Sequence, residues 1–216
     1  VLQSRGLGDV YKRQPIAIEE QGFYFAAIII GVERGWITRE EGEKRILITL
    51  RSLAKLERIR GFWYHFIDQD SGKRGWRDSK NVELSNASTG TMLLGALAAS
   101  EYFGGEIESR TQRMYAEMDW KWFTNPRTKH PYLACYPKDL PSKVPPGITE
   151  EGMFGGWSAY AEHIFLYLLA AGSPNPDYST GADSYYAMRT PKGSYKGEEF
   201  IFCGTGSAFT YQWTHA

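Results

Sequence analysis

Apolar residues recur along the chain in two patterns, and both predict helices. Residues 22–34 are apolar on nearly every face, which is typical of a helix buried among others. Residues 38–58 are apolar only at helical spacing, with Arg, Lys and Glu in between, which predicts an amphipathic helix with one buried stripe. Gly35 and Trp36 separate the two segments, so we expect an antiparallel helical hairpin.

The same alternation continues toward the C-terminus. Further helices are predicted at residues 87–103, 106–123, 159–171 and 183–188. The second of these is amphipathic, whereas the third is again apolar nearly all round. An inner ring of helices covered on every side, wrapped by an outer ring, would produce this rhythm. The sequence therefore indicates an all-α protein.

Local signals set where two of these helices begin. Thr38 and Glu41 fit a capping box, in which the hydroxyl and the carboxylate satisfy backbone donors reciprocally. Ser85 or Asn86 is the expected N-cap of the helix over 87–103.

Two long segments lack helical periodicity. Residues 61–82 mix aromatic residues with turn-forming Asp, Ser and Gly, which predicts a β-hairpin or a long ordered loop. Residues 125–156 form a second, proline-rich excursion. Because loops of this length in compact domains are usually functional, we expect the site to be close to these segments.

Composition favours a neutral ligand with flat apolar faces, of which sugars are one class. The 25 Lys and Arg residues balance 25 Asp and Glu residues, whereas a nucleic-acid-binding protein normally carries a basic excess. Aromatic residues make up 15% of the chain, with 7 Trp, 14 Tyr and 23 Gly. The longest apolar run is about ten residues, short of the roughly 20 that a membrane span needs.

Several kinds of site are excluded by the absence of their motifs. We find no phosphate-binding loop, dinucleotide-binding motif or zinc helix, and the four histidines lack metal-ligand spacing. Neither a metal nor an organic cofactor is therefore predicted. Cys135 and Cys203 cannot build a disulfide framework, and are expected to be buried thiols or a single cross-link.

The two ends of the chain differ from the rest. Residues 1–14 have neither an apolar core nor a cleavage site typical of a secretory signal. We interpret them as a non-native leader, with an ordinary disordered terminus as the alternative, and assign residues 15–216 to one domain. Because the last residues are aromatic and do not become polar, we expect this domain to be incomplete at both ends.

Two glutamates stand out at the junctions between loops and helices. Glu83 precedes a predicted helix, whose positive N-terminal end favours a carboxylate. Glu162 lies in the first turn predicted for an apolar helix, where apolar neighbours favour an uncharged carboxyl group. Two carboxyl groups in contrasting environments are the pattern that glycoside hydrolysis uses. The alternative is that each is an ordinary first-turn glutamate.

Aromatic residues have the same double interpretation, since buried Trp and Tyr usually fill cores. We expect Trp63, Tyr64, Trp157 and Trp213 to be sugar platforms, because most of them lie in glycine-rich or turn-rich segments. Asp68, directly after the aromatic run, is a reserve candidate, although loop aspartates are by default turn formers.

Six segments resemble a bacterial family, the glucoamylase-like domain, whose relatives include endo-β-1,2-glucanases and cyclic β-1,2-glucan synthases. They run in family order, and the IGVERGWITREE and YHFID stretches are the most specific. The segments are GFYFAAIIIGVERGWITREEGEKRIL, GFWYHFID, ELSNASTGTMLLGALAASEYF, MDWKWF, YAEHIFLYLLAAGSP and FTYQWTHA. His65, Tyr160 and His215, which lie in these segments, complete the expected substrate-binding set.

The resemblance implies an (α/α)6 toroid of six inner and six outer helices, of which this chain would hold a part. Glu83 matches the glutamate that opens the family's ELSTIDT-like motif, and Glu162 matches the glutamate of its YNEALLLYLL-like motif. The chain departs from the family at Ser88, where an Asp is usual, at Ala161, where an Asn is usual, and at His163, where a small residue is usual.

The leading hypothesis is therefore a glycoside hydrolase that cleaves a glucan, with β-1,2 linkages favoured. In it Glu162 protonates the leaving oxygen and Glu83 acts as base or nucleophile. Three alternatives stay open: a transglycosylase of the same fold, a non-catalytic glucan-binding module, which Ser88 favours, and a helical interaction scaffold. By resemblance, a periplasmic or extracellular location is favoured.

Overall fold

The computed structural model describes residues 15–75, 79–137, 139–141, 143–204 and 206–215. Their helices are α1 (Ile18–Glu33), α2 (Arg39–Leu53), α3 (Asn86–Phe103), α4 (Gly105–Ala116), α5 (Ile164–Ala171), α6 (Asp183–Ala187) and α7 (Ala208–His215). Short antiparallel strand pairs join them: β1 (Ile16–Ala17) with β4 (Phe66–Ile67), β2 (Arg58–Ile59) with β3 (Phe62–Trp63), β5 (Ala134–Cys135) with β6 (Met153–Phe154), and β7 (Lys192–Tyr195) with β8 (Glu198–Ile201). The predicted all-α class is thus confirmed in its main lines, with small β-ribbons between helices.

Helices α1 and α3 form the most extensive contact between any two elements, and two glycines make it possible. A Cβ atom at Gly22 would lie 2.3 Å from the backbone oxygen of Thr91. A Cβ atom at Gly95 would lie 2.2 Å from the backbone oxygen of Gly22. Because neither distance is possible for a side-chain carbon, the two backbones can meet only where both residues lack one.

The capping box predicted for α2 is present. The Thr38 hydroxyl accepts a hydrogen bond from the Glu41 backbone, and the Glu41 carboxylate accepts one from the Thr38 backbone. The helix packs its buried stripe, which includes Ile46, Leu50 and Leu53, against α1 and α4. The cap therefore fixes where this amphipathic helix begins.

The aromatic segment after α2 belongs to the hydrophobic core. Phe62 packs edge-on against Trp120 and Phe123, at ring-centroid distances of 5.1 and 4.8 Å. The Trp63 indole is fully buried and donates a hydrogen bond to the Leu53 carbonyl at 3.2 Å. Tyr64 is also fully buried.

Several predicted helix boundaries were wrong. Helix α1 begins at Ile18 rather than at residue 22, and α2 ends at Leu53 rather than at residue 58, because Arg58 belongs to strand β2. In two further cases the backbone pairs with a distant segment where a helix was predicted. The helix predicted to reach residue 123 ends at Ala116, since the Asp119 N–H is donated to Arg60 instead of continuing the ladder. The helix predicted from residue 159 begins at Ile164, because Ala159 forms a parallel β-bridge with Arg189, and this pairing keeps the segment extended.

Two other expectations were also wrong. Helix α1 is not covered on all sides, because Phe23 and Ile30 are 49% and 52% exposed. The hairpin β7–β8 follows the last predicted helix, in a segment for which no strand was predicted, and it turns at Lys196 and Gly197, both with positive φ. Within the described residues, no helix combines the length and the apolar character that crossing a membrane requires.

Substitution of the two crossing glycines tests this packing. Gly22→Ala and Gly95→Ala are each expected to lower the free energy of unfolding by about 1–3 kcal/mol or more, because the added methyl group forces α1 and α3 apart. Gly31→Ala, in the same helix, meets only ordinary contacts with Ile37 and is expected to be neutral or stabilising by up to ~1 kcal/mol. Urea denaturation followed by circular dichroism measures all three, and a Gly95→Ala variant as stable as the parent would contradict the close crossing.

Candidate functional site

A cavity of about 480 Å³ opens beside the N-terminus of α3. It lies between the start of α1, the residues that precede α3, the β5–β6 ribbon and the turn before α5. Its ionisable and aromatic lining is Glu19, His65, Glu83, Tyr136, Phe154, Trp157, Glu162, His163, Phe165 and Phe209. Glu83 and Glu162, which are 79 residues apart in sequence, therefore line the same cavity.

Backbone pairing places Glu83 directly beside His65. Tyr64 and Leu84 form an antiparallel bridge, and the His65 N–H donates to the Glu83 carbonyl at 2.9 Å. One residue past Leu84, the Ser85 side chain accepts a hydrogen bond from Ser88 and caps α3. Glu83 is thus held on a short extended segment that ends at the helix cap, as its position in the sequence predicts.

His65 lies between two carboxylates. Its Nδ1 is 2.7 Å from Glu83 Oε1, and its Nε2 is 3.0 Å from Glu19 Oε1. Burial lowers the pKa of His65, but the hydrogen bonds and charges of Glu19 and Glu83 outweigh this and raise its pKa to about 9. Burial likewise raises the pKa of Glu19, but its hydrogen bond with His65 and the charge of that ring bring it below its usual value. At neutral pH His65 is therefore a cation, and Glu19, one of its two partners, is an anion.

The other side of the cavity carries Glu162 with two rings beside it. Glu162 is half-buried in the turn before α5, and its Oε2 accepts a hydrogen bond from Thr210 at 3.4 Å. The next residue, His163, is buried and lies 4.0 Å from the Trp157 ring, centroid to centroid. Burial lowers the pKa of His163 to about 3, despite the opposing effect of the Ala159 backbone, so this ring is neutral.

Trp157 is fixed on two sides. Its indole N–H donates to Asn86 Oδ1 at 3.4 Å, and its carbonyl accepts a hydrogen bond from the Tyr167 hydroxyl. The ring is half-buried and lines the cavity. An aromatic ring held in this way offers a pre-oriented apolar surface for a ligand.

Of the residues predicted from sequence, the structure brings Glu83, Glu162, His65 and Trp157 to the cavity. The other predicted site residues lie elsewhere in the structure, or their side chains are outside the part that the structure describes. Trp213 and His215 lie in α7, but their side chains lie outside the described part of the structure.

Trp63, Tyr64, Asp68 and Tyr160 do not line the cavity, so their prediction as substrate-binding residues needs correction. The rings of Trp63 and Tyr64 are fully buried in the core, which leaves no face for a sugar. Asp68 is an exposed turn former that accepts hydrogen bonds from the backbone and hydroxyl of Ser71. Tyr160 is buried and lies 5.9 Å from the Tyr211 ring.

Sequence reasoning missed several lining residues, above all Glu19. Its position in the first turn of α1 gave no signal, because acidic residues are common there. His163 was noted only as a departure from the family pattern, and Tyr136 and Phe209 were not singled out. These residues meet only in the folded chain, and the spacing of apolar residues along the sequence does not predict such contacts.

The chemistry of the cavity is that of carboxylates and imidazoles. Among the described residues, no group of three His, Cys, Asp or Glu side chains could hold a metal ion. Cys135 and Cys203 are buried thiols that form no disulfide with each other, and burial raises the pKa of the Cys135 thiol to about 12, so it is not a nucleophile.

The charge on His65 predicts a dependence of stability on pH. Because its pKa is about 9 in the folded protein and 6.5 in an unfolded chain, its stabilising effect is complete below pH 6.5 and is lost as pH rises through 9. The free energy of unfolding of the parent protein, relative to that of His65→Gln, is therefore expected to fall over this window. Urea denaturation of both proteins at about pH 6 and about pH 9.5 measures it. An equal difference at the two pH values would contradict the ionic arrangement.

The chain is similar to known bacterial proteins in both sequence and fold. The chain is 30% identical over 179 residues to an exo β-1,2-glucooligosaccharide sophorohydrolase (non-reducing end) of Parabacteroides distasonis, a match that covers 80% of this chain and 23% of that protein. No family model matches the chain.

Solved structures share its fold. An endo-β-1,2-glucanase of Chitinophaga pinensis, in complex with sophorotriose and glucose, superimposes with a TM-score of 0.71 at 24% identity, over 87% of this chain and 45% of that one. A Bacteroides caccae protein provisionally named a glucoamylase gives a TM-score of 0.74 at 24% identity, over 98% of this chain and 52% of that one.

The chain thus spans about half the length of these two solved proteins and less than a quarter of the curated relative. The sequence match and the fold comparisons nevertheless agree with each other. The resemblance found in the sequence is confirmed: the chain is similar in sequence to a β-1,2-glucooligosaccharide sophorohydrolase, and it shares the fold of an endo-β-1,2-glucanase and of a protein provisionally named a glucoamylase.

Proposed function

We propose that this chain carries the catalytic cavity of a glycoside hydrolase that cleaves a β-1,2-linked glucan. The observation that carries the proposal is that Glu83 and Glu162 line one cavity of about 480 Å³ together with Trp157. Relatives described as acting on β-1,2-linked glucosides support the substrate class.

In this proposal the two carboxyl groups divide the work. Glu162 protonates the glycosidic oxygen as it leaves, and Glu83 activates a water molecule or attacks the sugar carbon. His65 supports the second role, because its Nδ1–H donates to Glu83 Oε1 and orients the carboxylate. Positioned acid–base groups of this kind each raise the reaction rate by about 10²–10⁴-fold.

The separation of the two carboxyl groups with a sugar between them decides the stereochemical outcome. About 5–5.5 Å favours a covalent intermediate and retention, and the same geometry serves a transglycosylase. About 6.5–9.5 Å leaves room for a water molecule and favours inversion.

We further propose that the helices form part of an (α/α)6 toroid. The homologous folds support this, as do the exposed apolar side chains of Phe23, Ile30 and Leu168, which are 49–58% exposed. Apolar surface of this kind on α1 and α5 is what neighbouring helices of a ring would cover.

The second candidate function, a glucan-binding module without turnover, is favoured by one residue. Ser88 lines the cavity beside Glu19, where the family pattern has an Asp. In such a module the cavity and Trp157 would bind a glucan, and neither glutamate would be needed for chemistry.

Replacement of each glutamate separates the two candidates. In the full-length protein that carries these residues, Glu162→Gln and Glu83→Gln are each expected to lower kcat for β-1,2-glucan hydrolysis by at least about 10²-fold, with oligosaccharide binding retained. Glu108→Gln, on the exposed face of α4, is the matched control and is expected to retain activity. Unchanged turnover in Glu162→Gln would exclude it as the acid, and binding without any turnover in the parent protein would favour the binding module.

Trp157 provides a test of binding alone. Trp157→Ala is expected to weaken β-1,2-glucooligosaccharide binding by roughly three- to tenfold, because about 0.5–1.5 kcal/mol of ring contact is lost. Trp36→Ala removes a Trp that is 75% exposed and does not line the cavity, so it serves as the control. Isothermal titration calorimetry measures both, and equal affinity in the two variants would remove Trp157 from the site.

A further inference from the structure

Glu19 reaches the cavity from an element that the proposed reaction does not otherwise use. It lies in the first turn of α1, three residues before the crossing glycine Gly22, and lines the same cavity as Glu83 and Glu162. Its Oε1 is 3.0 Å from His65 Nε2, on the opposite side of the ring from Glu83.

The two contacts of His65 determine what the ring must be. Carboxylate oxygens accept hydrogen bonds and do not donate them, whereas a neutral imidazole carries only one N–H. A neutral His65 would therefore direct a nitrogen lone pair at Glu19 or Glu83. When both partners are carboxylates, only the imidazolium, with an N–H on each nitrogen, satisfies both contacts, so the geometry favours a cation that both carboxylates stabilise.

The backbone holds this arrangement in register. The Ile18 N–H donates to the His65 carbonyl at 3.2 Å, and Ala17 pairs with Phe66 in the β1–β4 ribbon. The His65 ring also stacks on Phe66, with centroids 4.0 Å apart and planes 13° from parallel. Glu19 therefore follows directly on the segment that positions the histidine it contacts.

We propose that Glu19 is a positioning residue of this site, which holds the His65 imidazolium so that it orients Glu83. The inference rests on the proposed function, because it assigns Glu83 the role of base or nucleophile. Glu19 acts through His65, because a ring that loses its charge keeps a single N–H for two carboxylates, so one of the two contacts is lost.

Polar and ionisable side chains from other elements also face this network. Burial raises the pKa of Glu19, and the hydrogen bond and charge of His65 lower it. Ser88, from α3, faces Glu19 and makes a smaller contribution that also lowers this pKa. Tyr136 faces Glu83, and burial together with the Glu83 charge raises the pKa of its phenol, against the opposing charge of Arg74. Tyr136 therefore stays neutral, and the alkaline transition of the network belongs to His65.

Two readouts on Glu19→Gln test the proposal. The amide keeps the shape and an accepting oxygen but removes the charge, so the pKa of His65, about 9 in the parent, is expected to fall by at least about one unit. NMR titration of the His65 ring measures this shift. In the full-length protein, the alkaline limb of the kcat/KM profile is expected to move down in pH by the same amount.

Matched variants make the effect specific. Glu20→Gln removes an exposed carboxylate next along α1 and is expected to leave both readouts unchanged. Glu19→Asp restores the charge on a shorter side chain and is expected to recover part of the shift in each readout.

Each outcome decides the proposal separately from the proposed function. The proposal is overturned if the pKa of His65 in Glu19→Gln equals that in the parent. It is also overturned if the pKa of His65 falls but the alkaline limb of the kcat/KM profile does not move. If the parent protein hydrolyses no glucan, the proposed function fails, and the position of the His65 titration in Glu19→Gln then supports or overturns the Glu19–His65 coupling alone.

Discussion

The close crossing of α1 and α3 is the constraint on which the site depends. Gly22 and Gly95 let the two backbones meet without side chains between them. This contact brings the first turn of α1, with Glu19, alongside the first turns of α3, with Ser88. The cavity is therefore formed by helix packing, and the β1–β4 and Tyr64–Leu84 pairings then add His65 and Glu83 to it.

The two sides of the cavity differ in their electrostatics. On one side a cationic His65 lies between Glu19 and Glu83 and holds both side chains in fixed positions. On the other side Glu162 is next to the neutral ring pair formed by half-buried Trp157 and buried His163. Two carboxyl groups in such unlike surroundings suit a reaction in which one group gives up a proton and the other accepts one.

Sequence reasoning predicted the helical class, the capping box at Thr38, an N-cap at Ser85 or Asn86, and a shared site for Glu83 and Glu162. These features could be predicted because they depend on local sequence signals and on motif resemblance. It failed for Trp63 and Tyr64, since an aromatic residue in a turn-rich segment fills a core as readily as it binds a ligand. It also missed Glu19 and the later start of α5, which depend on contacts with His65 and Arg189 that are distant in sequence.

The central claim is that a glucan lies between Glu83 and Glu162, against Trp157. A crystal structure of the Glu162→Gln variant of the full-length protein with a β-1,2-glucooligosaccharide tests it most directly. The account predicts a glucose ring over Trp157 with its glycosidic oxygen within hydrogen-bond reach of residue 162, and the separation of the two side chains then gives the stereochemical course. A saccharide bound away from this cavity, with the space between residues 83 and 162 free of sugar, would contradict it.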